Sequence, residues 1–558
     1  MWDAAWLVVR LGLLAGALVL GGCGGGGAQS LASEASSRGN SNLPALPTPL
    51  FQPSLAHAQI CAAPRAPDRI DPDTGLNYGD LLGSLNDEKL WIRSWVNETY
   101  LWYREVPEVD PTPYIVGVRV PYIEPADNNP ITIALNSNHA AVDAYFNSQR
   151  TLTVEANGRP RDRFHFTYPT SDWQALSRYG NPAGFGMHIT LVHAAPPRLA
   201  VVTLVDAGTP AALAGLGRGA QILSVDDAAV LDSDDVATLN EGLYAPLAGK
   251  TYRFIVVDRN SDVPRSIQLT AANLDLVPVS RVGALPAPNQ RVGYLQFTDH
   301  IATAEPQLIA AVSKLQQLLI GDLVLDIRYN GGGLLNIASE LAYMIAGPAA
   351  TRGKVFERLS FNDKNPFDLS ADDAATPFLD TSQGYAGPSG VALPHLDLQR
   401  VFVLTSGDTC SASESIINGL RGVGVQVIQI GQTTCGKPYG FLPIDNCDTT
   451  YFTIQFQGVN DQGYGGYTEG FTPDNGSSTA SLPGCAVGDD FTHELGDPNE
   501  ARLQAALQYL ATGSCRSTVT KAAAQPPGAS SGRALQPPAL RSNRFYSAQG
   551  HASKAGAH

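Results

Sequence analysis

The sequence predicts a multidomain α/β protein, and three observations carry that prediction. Residues 281–515 alternate apolar strands with helices, residues 181–280 are strand-rich and punctuated by glycine, and residues 85–180 open on a helix with an aromatic stripe. At 558 residues the chain exceeds one ordinary domain, and a hydrophobic fraction of 44% is ample for several cores.

The N-terminus differs in kind. Arg10 precedes the apolar run LGLLAGALVLGG, which ends in small residues at Cys23. That layout predicts a secretory signal over residues 1–22. Leu20-Gly21-Gly22-Cys23 resembles a lipobox, which implies that Cys23 is lipidated and becomes the mature N-terminus. A plain signal cleaved nearby and a short membrane anchor are the alternatives. The expected location is the bacterial cell envelope, facing the periplasm on a lipid anchor, or outside the cell if no lipid is added. Residues 23–80 are rich in Gly, Ser, Ala and Pro and read as a disordered tether, and residues 516–558 read as a disordered tail. No interior segment approaches the roughly 20 apolar residues of a membrane span. A net charge of -15 argues against nucleic acid as a partner. There is no CxxC pair or HExxH, so no metal or other cofactor is expected.

In residues 85–180 the stretch NDEKLWIRSWVNETYLWY sets Leu90, Trp91, Trp95, Leu101 and Trp102 at roughly helical spacing. Asn86 is the expected cap, and the aromatic stripe reads as core. In residues 181–280, GFGMHITLV and RLAVVTLV read as strands and TPAALAGL as a short helix. GRGAQILSVDD reads as a turn into a strand, SDDVATLNEGL as a helix, and KTYRFIVVDR with RSIQLTA as a closing pair of strands. Gly184-Phe185-Gly186-Met187, then Pro210-Ala211-Ala212-Leu213-Ala214-Gly215-Leu216 and Gly219-Ala220-Gln221-Ile222-Leu223, resemble a PDZ domain. The resemblance implies that Phe185, Gly186 and Met187 present backbone N–H groups to a peptide's terminal carboxylate while the peptide adds a strand to the sheet edge. A generic small β domain is the alternative.

Residues 281–515 read as strand RVGYLQF, helix AEPQLIAAVSKLQQLL, strand DLVLDIR and helix LLNIASELAYMIA. Strand RVFVLTS, helix SASESIINGLRG and strand VQVIQIG follow. This alternation predicts an α/β sandwich around a mainly parallel sheet.

The stretch TCSASESIINGL, residues 409–420, supports two readings. Locally, Ser411-Ala412-Ser413-Glu414 is a capping box that opens a helix. In context, Ser411 follows the strand Val401–Leu404, at the edge where a parallel sheet gathers functional sites. It also lies at a helix N-terminus, whose amides and dipole suit an oxyanion. A nucleophilic serine needs a base. No Gly-x-Ser-x-Gly elbow with a triad order is apparent, and the ten histidines are scattered. One strand later, Lys437 stands between Gly436 and Pro438-Tyr439, where desolvation can lower a lysine pKa toward neutrality. A solvated loop lysine is the alternative.

Taken together, these segments resemble the carboxy-terminal processing (tail-specific) serine peptidases. The resemblance rests on the Ser-Ala-Ser-Glu helix start, the later Gly-Lys turn, the turn Asp326-Ile327-Arg328-Tyr329-Asn330-Gly331-Gly332, and Gly470-Phe471-Thr472-Pro473-Asp474. It covers about residues 85–515. It implies Ser411 as nucleophile, Lys437 as general base, and an oxyanion hole from Ala412 with Gly331 or Gly332. Ser413 and Glu414 would be structural. The implied function is an exported endopeptidase acting on proteins or peptides with free C-termini through an acyl-enzyme. Many members carry a glutamine one turn after the lysine, where this chain has Phe441, and the Ser411–Lys437 interval is about one residue longer than the common pattern. A non-catalytic peptide- or ligand-binding lipoprotein on the same fold is the main rival, and a secreted esterase is a third.

Without Cys23 six cysteines remain, and six allow fifteen pairings. Cys410 and Cys435 adjoin the two motifs and are expected to pair across the site. Cys447 with Cys485, and Cys61 with Cys515, are the remaining expected pairs. Cys410 as nucleophile is the sharper alternative to Ser411.

Overall fold

The computed structural model describes residues 51–515, apart from 73, 180–182, 194 and 475–477, together with Tyr546–Ser547. The signal, Cys23 and nearly all of the tail lie outside the described residues.

Helix α1 (Leu85–Thr99) starts one turn before its aromatic stripe because Ser84, rather than Asn86, caps it. The Asp87 amide donates to the Ser84 hydroxyl at 3.4 Å, and the Ser84 amide donates to the Asp87 carboxylate at 2.9 Å, a complete capping box. Trp91 and Trp95, four residues apart, stack at 5.2 Å and face Tyr451. Helix α2 (Asn138–Ser148) closes the other side of this core. The region is less helical than expected. It also holds a hairpin, Arg119–Ile123 with Pro130–Ala134, and a strand, Phe166–Pro169, that pairs with Thr449–Phe452 far along the chain. That pairing seats the segment just before Phe166 against the loop that carries Lys437.

The stretch 51–80, expected as part of the tether, is packed instead. It buries little apolar surface but is pinned by polar and covalent links. Arg65 is buried and ion-paired with Asp80 at 2.6 Å and Asp445 at 2.5 Å, and Cys61 is bonded to Cys447.

Five antiparallel strands follow: β1 (Met187–His193), β2 (Leu199–Val205), β3 (Gln221–Val225), β4 (Thr251–Val257) and β5 (Pro264–Thr270). They lie in the order β5-β4-β3-β2-β1, which leaves β1 at the edge. Helix α3 (Val236–Tyr244), capped by Asp235, seals the core of this unit. Arg218 ties it to the rest of the protein. Its buried guanidinium donates to the Tyr329 hydroxyl at 2.8 Å and to Asp489 at 2.7 Å.

The third sheet runs β6 (Val279–Ala284), β7 (Val292–Phe297), β8 (Asp322–Asp326), β9 (Arg400–Thr405), β10 (Gln426–Gly431) and β11 (Gly484–Ala486), in that spatial order. Only β6 is antiparallel to its neighbour. Alternate residues of the buried strands face opposite layers. Leu325 and Val403 point to helices α4 (Ala304–Gln317), α5 (Leu335–Thr351) and α6 (Ala412–Gly422), whereas Val324, Leu404 and Ile430 point to α7 (Ala501–Thr512). Gly333–Leu334 pair in parallel with Tyr546–Ser547. Among the described residues no helix is long and apolar enough to cross a membrane.

The disulfides are Cys61–Cys447, Cys410–Cys435 and Cys485–Cys515. The expected pairs Cys447–Cys485 and Cys61–Cys515 are therefore corrected. Cys485 ends on β11 beside the C-terminus of α7, which brings Cys515 to it, while the packed 51–80 stretch delivers Cys61 to Cys447.

Candidate active site

Three parallel strands discharge at one edge, and the loops after them interlock. The turn after β8 presents the Asn330 carbonyl, which accepts from the Cys410 amide at 3.1 Å and from the Ser413 hydroxyl at 3.0 Å. The loop after β9 leans on the same turn through Thr409, whose hydroxyl donates to the Ile327 carbonyl at 2.9 Å. The loop after β10 joins through the Cys435 amide, which donates to the Thr409 carbonyl at 3.0 Å, and through the Cys410–Cys435 bond, with Cα atoms 5.2 Å apart.

Ser411 sits where strand turns to helix, with φ 58° and ψ -119°. A non-glycine residue at positive φ costs about 1–3 kcal/mol and persists only where the surroundings impose it. Gly332 makes the turn possible. A Cβ there would lie 2.9 Å from both the Ser411 Cβ and the Ala412 nitrogen, so only glycine lets the two loops approach this closely.

The capping reading of Ser411 is half fulfilled. Glu414 accepts the Ser411 amide at 3.0 Å, but the Ser411 hydroxyl is buried and has no hydrogen-bond partner among the described residues. The Glu414 carboxylate does more than cap. It also accepts from the Gly436 amide at 2.9 Å, the Lys437 amide at 2.8 Å and the Thr434 hydroxyl at 2.5 Å. One oxygen, Oε2, thus receives the amides of both Ser411 and Lys437. Burial pushes this carboxyl up, opposed by those hydrogen bonds.

Lys437 is fully buried, and its Nζ has no hydrogen-bond partner among the described residues. Burial lowers its pKa from 10.5 to about 7, against the charges of Asp162 and Glu414, which raise it, while Arg163 lowers it further. A buried polar atom without a partner is uncommon and calls for a functional account. Here two such atoms lie on loops fixed to one carboxylate. Cys410 is bonded to Cys435, which removes the thiolate needed for it to act as nucleophile.

Of the two glycines expected near an oxyanion, Gly332 has its amide engaged by the Asn330 side chain at 2.9 Å. The Gly331 amide makes no hydrogen bond among the described residues. Ala412 is the first residue of α6, where amides lack intrahelical acceptors. Asn330 Oδ1 also contacts His300 Nδ1 at 2.9 Å, and burial lowers the His300 pKa to about 3, so its ring is neutral. Asn330 lies within the turn motif but carries no role of its own in the sequence, and nothing singles out His300, because the parts of both lie in holding a turn.

Phe185, Gly186 and Met187 belong to a different sheet from this cluster, at the start of edge strand β1. Phe185 is buried with its ring against Tyr252 and Phe254, and Gly186 has φ 74° with Thr209 packed where a side chain would stand. A cavity of about 30 Å³ opens there, bounded by Gly186, His188, Leu243 and Leu274.

Residues 291–476 match the model of peptidase family S41. The chain is 28% identical over 272 residues to a carboxyl-terminal-processing protease of Picosynechococcus sp., covering 47% of this chain and 56% of that one. It is 31% identical over 138 residues to a protein of the same description from Synechocystis sp., covering 24% of this chain and 31% of that one. The chain thus spans about half, or less, of the length of these relatives. In fold it is similar to an S41 protease from Bacteroides fragilis, with a TM-score of 0.53 and 21% identity over 76% of this chain and 97% of that one. Residues 291–476 thus carry the pattern of peptidase family S41, and the chain is similar to carboxyl-terminal-processing proteases over about half of its length.

Proposed function

We propose that the protein is an exported serine endopeptidase in which Ser411 is the nucleophile and Lys437 its general base. The observation that carries this reading is the pair of buried, unpartnered groups, Ser411 Oγ and Lys437 Nζ, whose loops share the Glu414 carboxylate. A lysine with a pKa of about 7 is largely a free amine at mildly alkaline pH and can accept a proton. It takes the hydroxyl proton as Ser411 Oγ attacks the scissile carbonyl, forming a tetrahedral intermediate. The Ala412 and Gly331 amides, at the positive end of α6, stabilise its oxyanion. The ammonium of Lys437 then protonates the leaving amine. Water hydrolyses the acyl-enzyme with the lysine again as base.

Residues 181–280 act as a PDZ-type module for the substrate's C-terminal segment. Supporting this are the open edge of β1 beside α3 and the Phe185 and Gly186 amides, which donate to nothing among the described residues. A peptide strand added to β1 would point its terminal carboxylate at them. Export is supported by the signal-like N-terminus and by three disulfides, which persist in oxidising compartments. Lipidation at Cys23 would hold the protein to the membrane.

The test uses casein as an unfolded substrate with wild type, Ser411→Ala and Lys437→Ala, each shown to be folded by circular dichroism. Cleavage by wild type alone is expected. Cleavage that persists in Ser411→Ala rejects the nucleophile. A folded wild type that binds C-terminal peptides but cleaves nothing favours the binding-protein rival.

A further inference from the structure

The side chain of Lys437 has no polar partner, yet it is not without company. Its Nζ lies 4.5 Å from the ring centroid of Phe441 and 4.8 Å from that of Phe164. Both distances fall within the roughly 6 Å over which an aromatic face attracts an ammonium. Both rings are buried, so neither the cation nor the π face is screened by water. Phe441 is held by the ring of Phe166 at 5.9 Å and that of Phe452 at 5.3 Å. Phe164 is held by its neighbours in sequence, since the Phe164 amide donates to Asp162 at 2.9 Å and Arg163 donates to the Cys435 carbonyl at 3.1 Å.

We propose that Phe164 and Phe441 are positioning residues for Lys437, an aromatic clamp that stabilises the ammonium formed when the lysine accepts the Ser411 proton. Phe164 comes from residues 162–164, outside the 291–476 stretch matched by the family model, so the N-terminal region completes the active site. This inference rests on Lys437 being the general base. Phe441 stands four residues beyond the lysine, just past the short strand Tyr439–Gly440, at the position where the resemblance leads one to expect a hydrogen-bonding side chain to orient it. A π face does that work without binding the free amine tightly. It leaves the lone pair available and strengthens only as charge develops.

The charged groups facing Lys437 are Asp162 and Arg163 from the N-terminal segment and Glu414 from α6. None of them changes when the rings are altered, which makes the rings testable alone. The experiment takes the full chain with mono-, di- and trifluorinated phenylalanine at position 441, and separately at 164. Fluorination weakens the π face stepwise at nearly constant shape. The readout is the pH dependence of kcat/KM for casein cleavage, whose acid limb reports the free-enzyme base. A weaker clamp favours the neutral lysine, so the acid limb is expected to move to lower pH in steps, by about half to one pH unit at trifluorination. Above the limb, kcat is expected to fall about three- to tenfold as the base weakens, with KM and the melting temperature unchanged.

Phe164→Leu and Phe441→Leu are expected to show the same shift at its full extent, and the fluorinated series stands if either fails to fold. An acid limb that stays put across the series, with cleavage still dependent on Ser411, overturns the clamp and leaves the dyad intact. Cleavage that survives Lys437→Ala overturns the dyad and the clamp together.

Discussion

Replacing Lys437 with methionine is expected to abolish cleavage and stabilise the protein, with a pH dependence fixed by the lysine itself. Methionine reaches as far as the lysine Cε, lacks only the terminal amine, and carries no titratable proton. In the unfolded chain the lysine has its ordinary pKa of 10.5, and in the folded protein burial lowers it to about 7. At 1.36 kcal/mol for each pH unit, that difference corresponds to roughly 5 kcal/mol. The sign follows from proton counting. Between pH 7 and 10.5 the unfolded state holds a proton that the folded state has lost, so wild-type stability rises with pH across that window. The penalty is full below the folded pKa and vanishes above the unfolded one. Lys437→Met has no such slope, so its advantage is expected to be about 3–5 kcal/mol at pH 7 and to shrink to about 1 kcal/mol at pH 10. Urea unfolding of both proteins at half-unit steps from pH 6.5 to 10, with disulfides intact, measures the difference and cancels every other titration. An advantage that is constant with pH, or a methionine variant less stable at pH 7, would refute the buried, depressed lysine.

Three further outcomes follow from the same geometry. Ser411→Gly is expected to be inactive yet about 1 kcal/mol more stable than wild type, because glycine accepts φ 58° without strain. Ser411→Ala keeps its Cβ and should gain less, a difference that thermal melting can read. Gly332→Ala, whose new Cβ would meet the Cys410 carbonyl at 2.8 Å and the Ser411 Cβ at 2.9 Å, is expected to lower kcat by about 100-fold or more. Steady-state kinetics should show KM nearly unchanged. Glu414→Ala leaves the amides of Ser411, Gly436 and Lys437 and the Thr434 hydroxyl without an acceptor, and is expected to cost at least about 3 kcal/mol in urea unfolding.

The parts of the molecule legible in the sequence are those written in local pattern. The strand–helix alternation of residues 281–515 reads off apolar runs, and Ser411 and Lys437 follow neighbouring strands in sequence and in the fold. Their adjacency at one sheet edge is a consequence of parallel topology, which the alternation already implies. What was illegible is written at long range. Phe164 reaches Lys437 because Phe166–Pro169 pairs with Thr449–Phe452, a register no local pattern announces. Cys61 finds Cys447 across most of the chain for the same kind of reason. The 51–80 stretch looked like a tether because its anchors are a disulfide and the ion pairs of Arg65, and composition is blind to both. Ser411 at positive φ has no glycine signature of its own, since the glycine that permits it, Gly332, lies on another loop. The helix starts at Ser84 rather than two residues later, because Asn86 also favours caps and only the reciprocal bond with Asp87 decides between them.

The central claim is that Ser411 attacks the scissile carbonyl with Lys437 as its base, and the acyl-enzyme tests it most directly. Wild type, Ser411→Ala and Lys437→Ala would each be mixed with a peptide chosen from the casein fragments that wild type releases. The reactions would be quenched in acid within milliseconds to seconds, digested and mapped by mass spectrometry. An acyl adduct on Ser411 in wild type, absent from both variants, is the predicted result. An adduct on another residue, or full turnover by Ser411→Ala, would contradict the account.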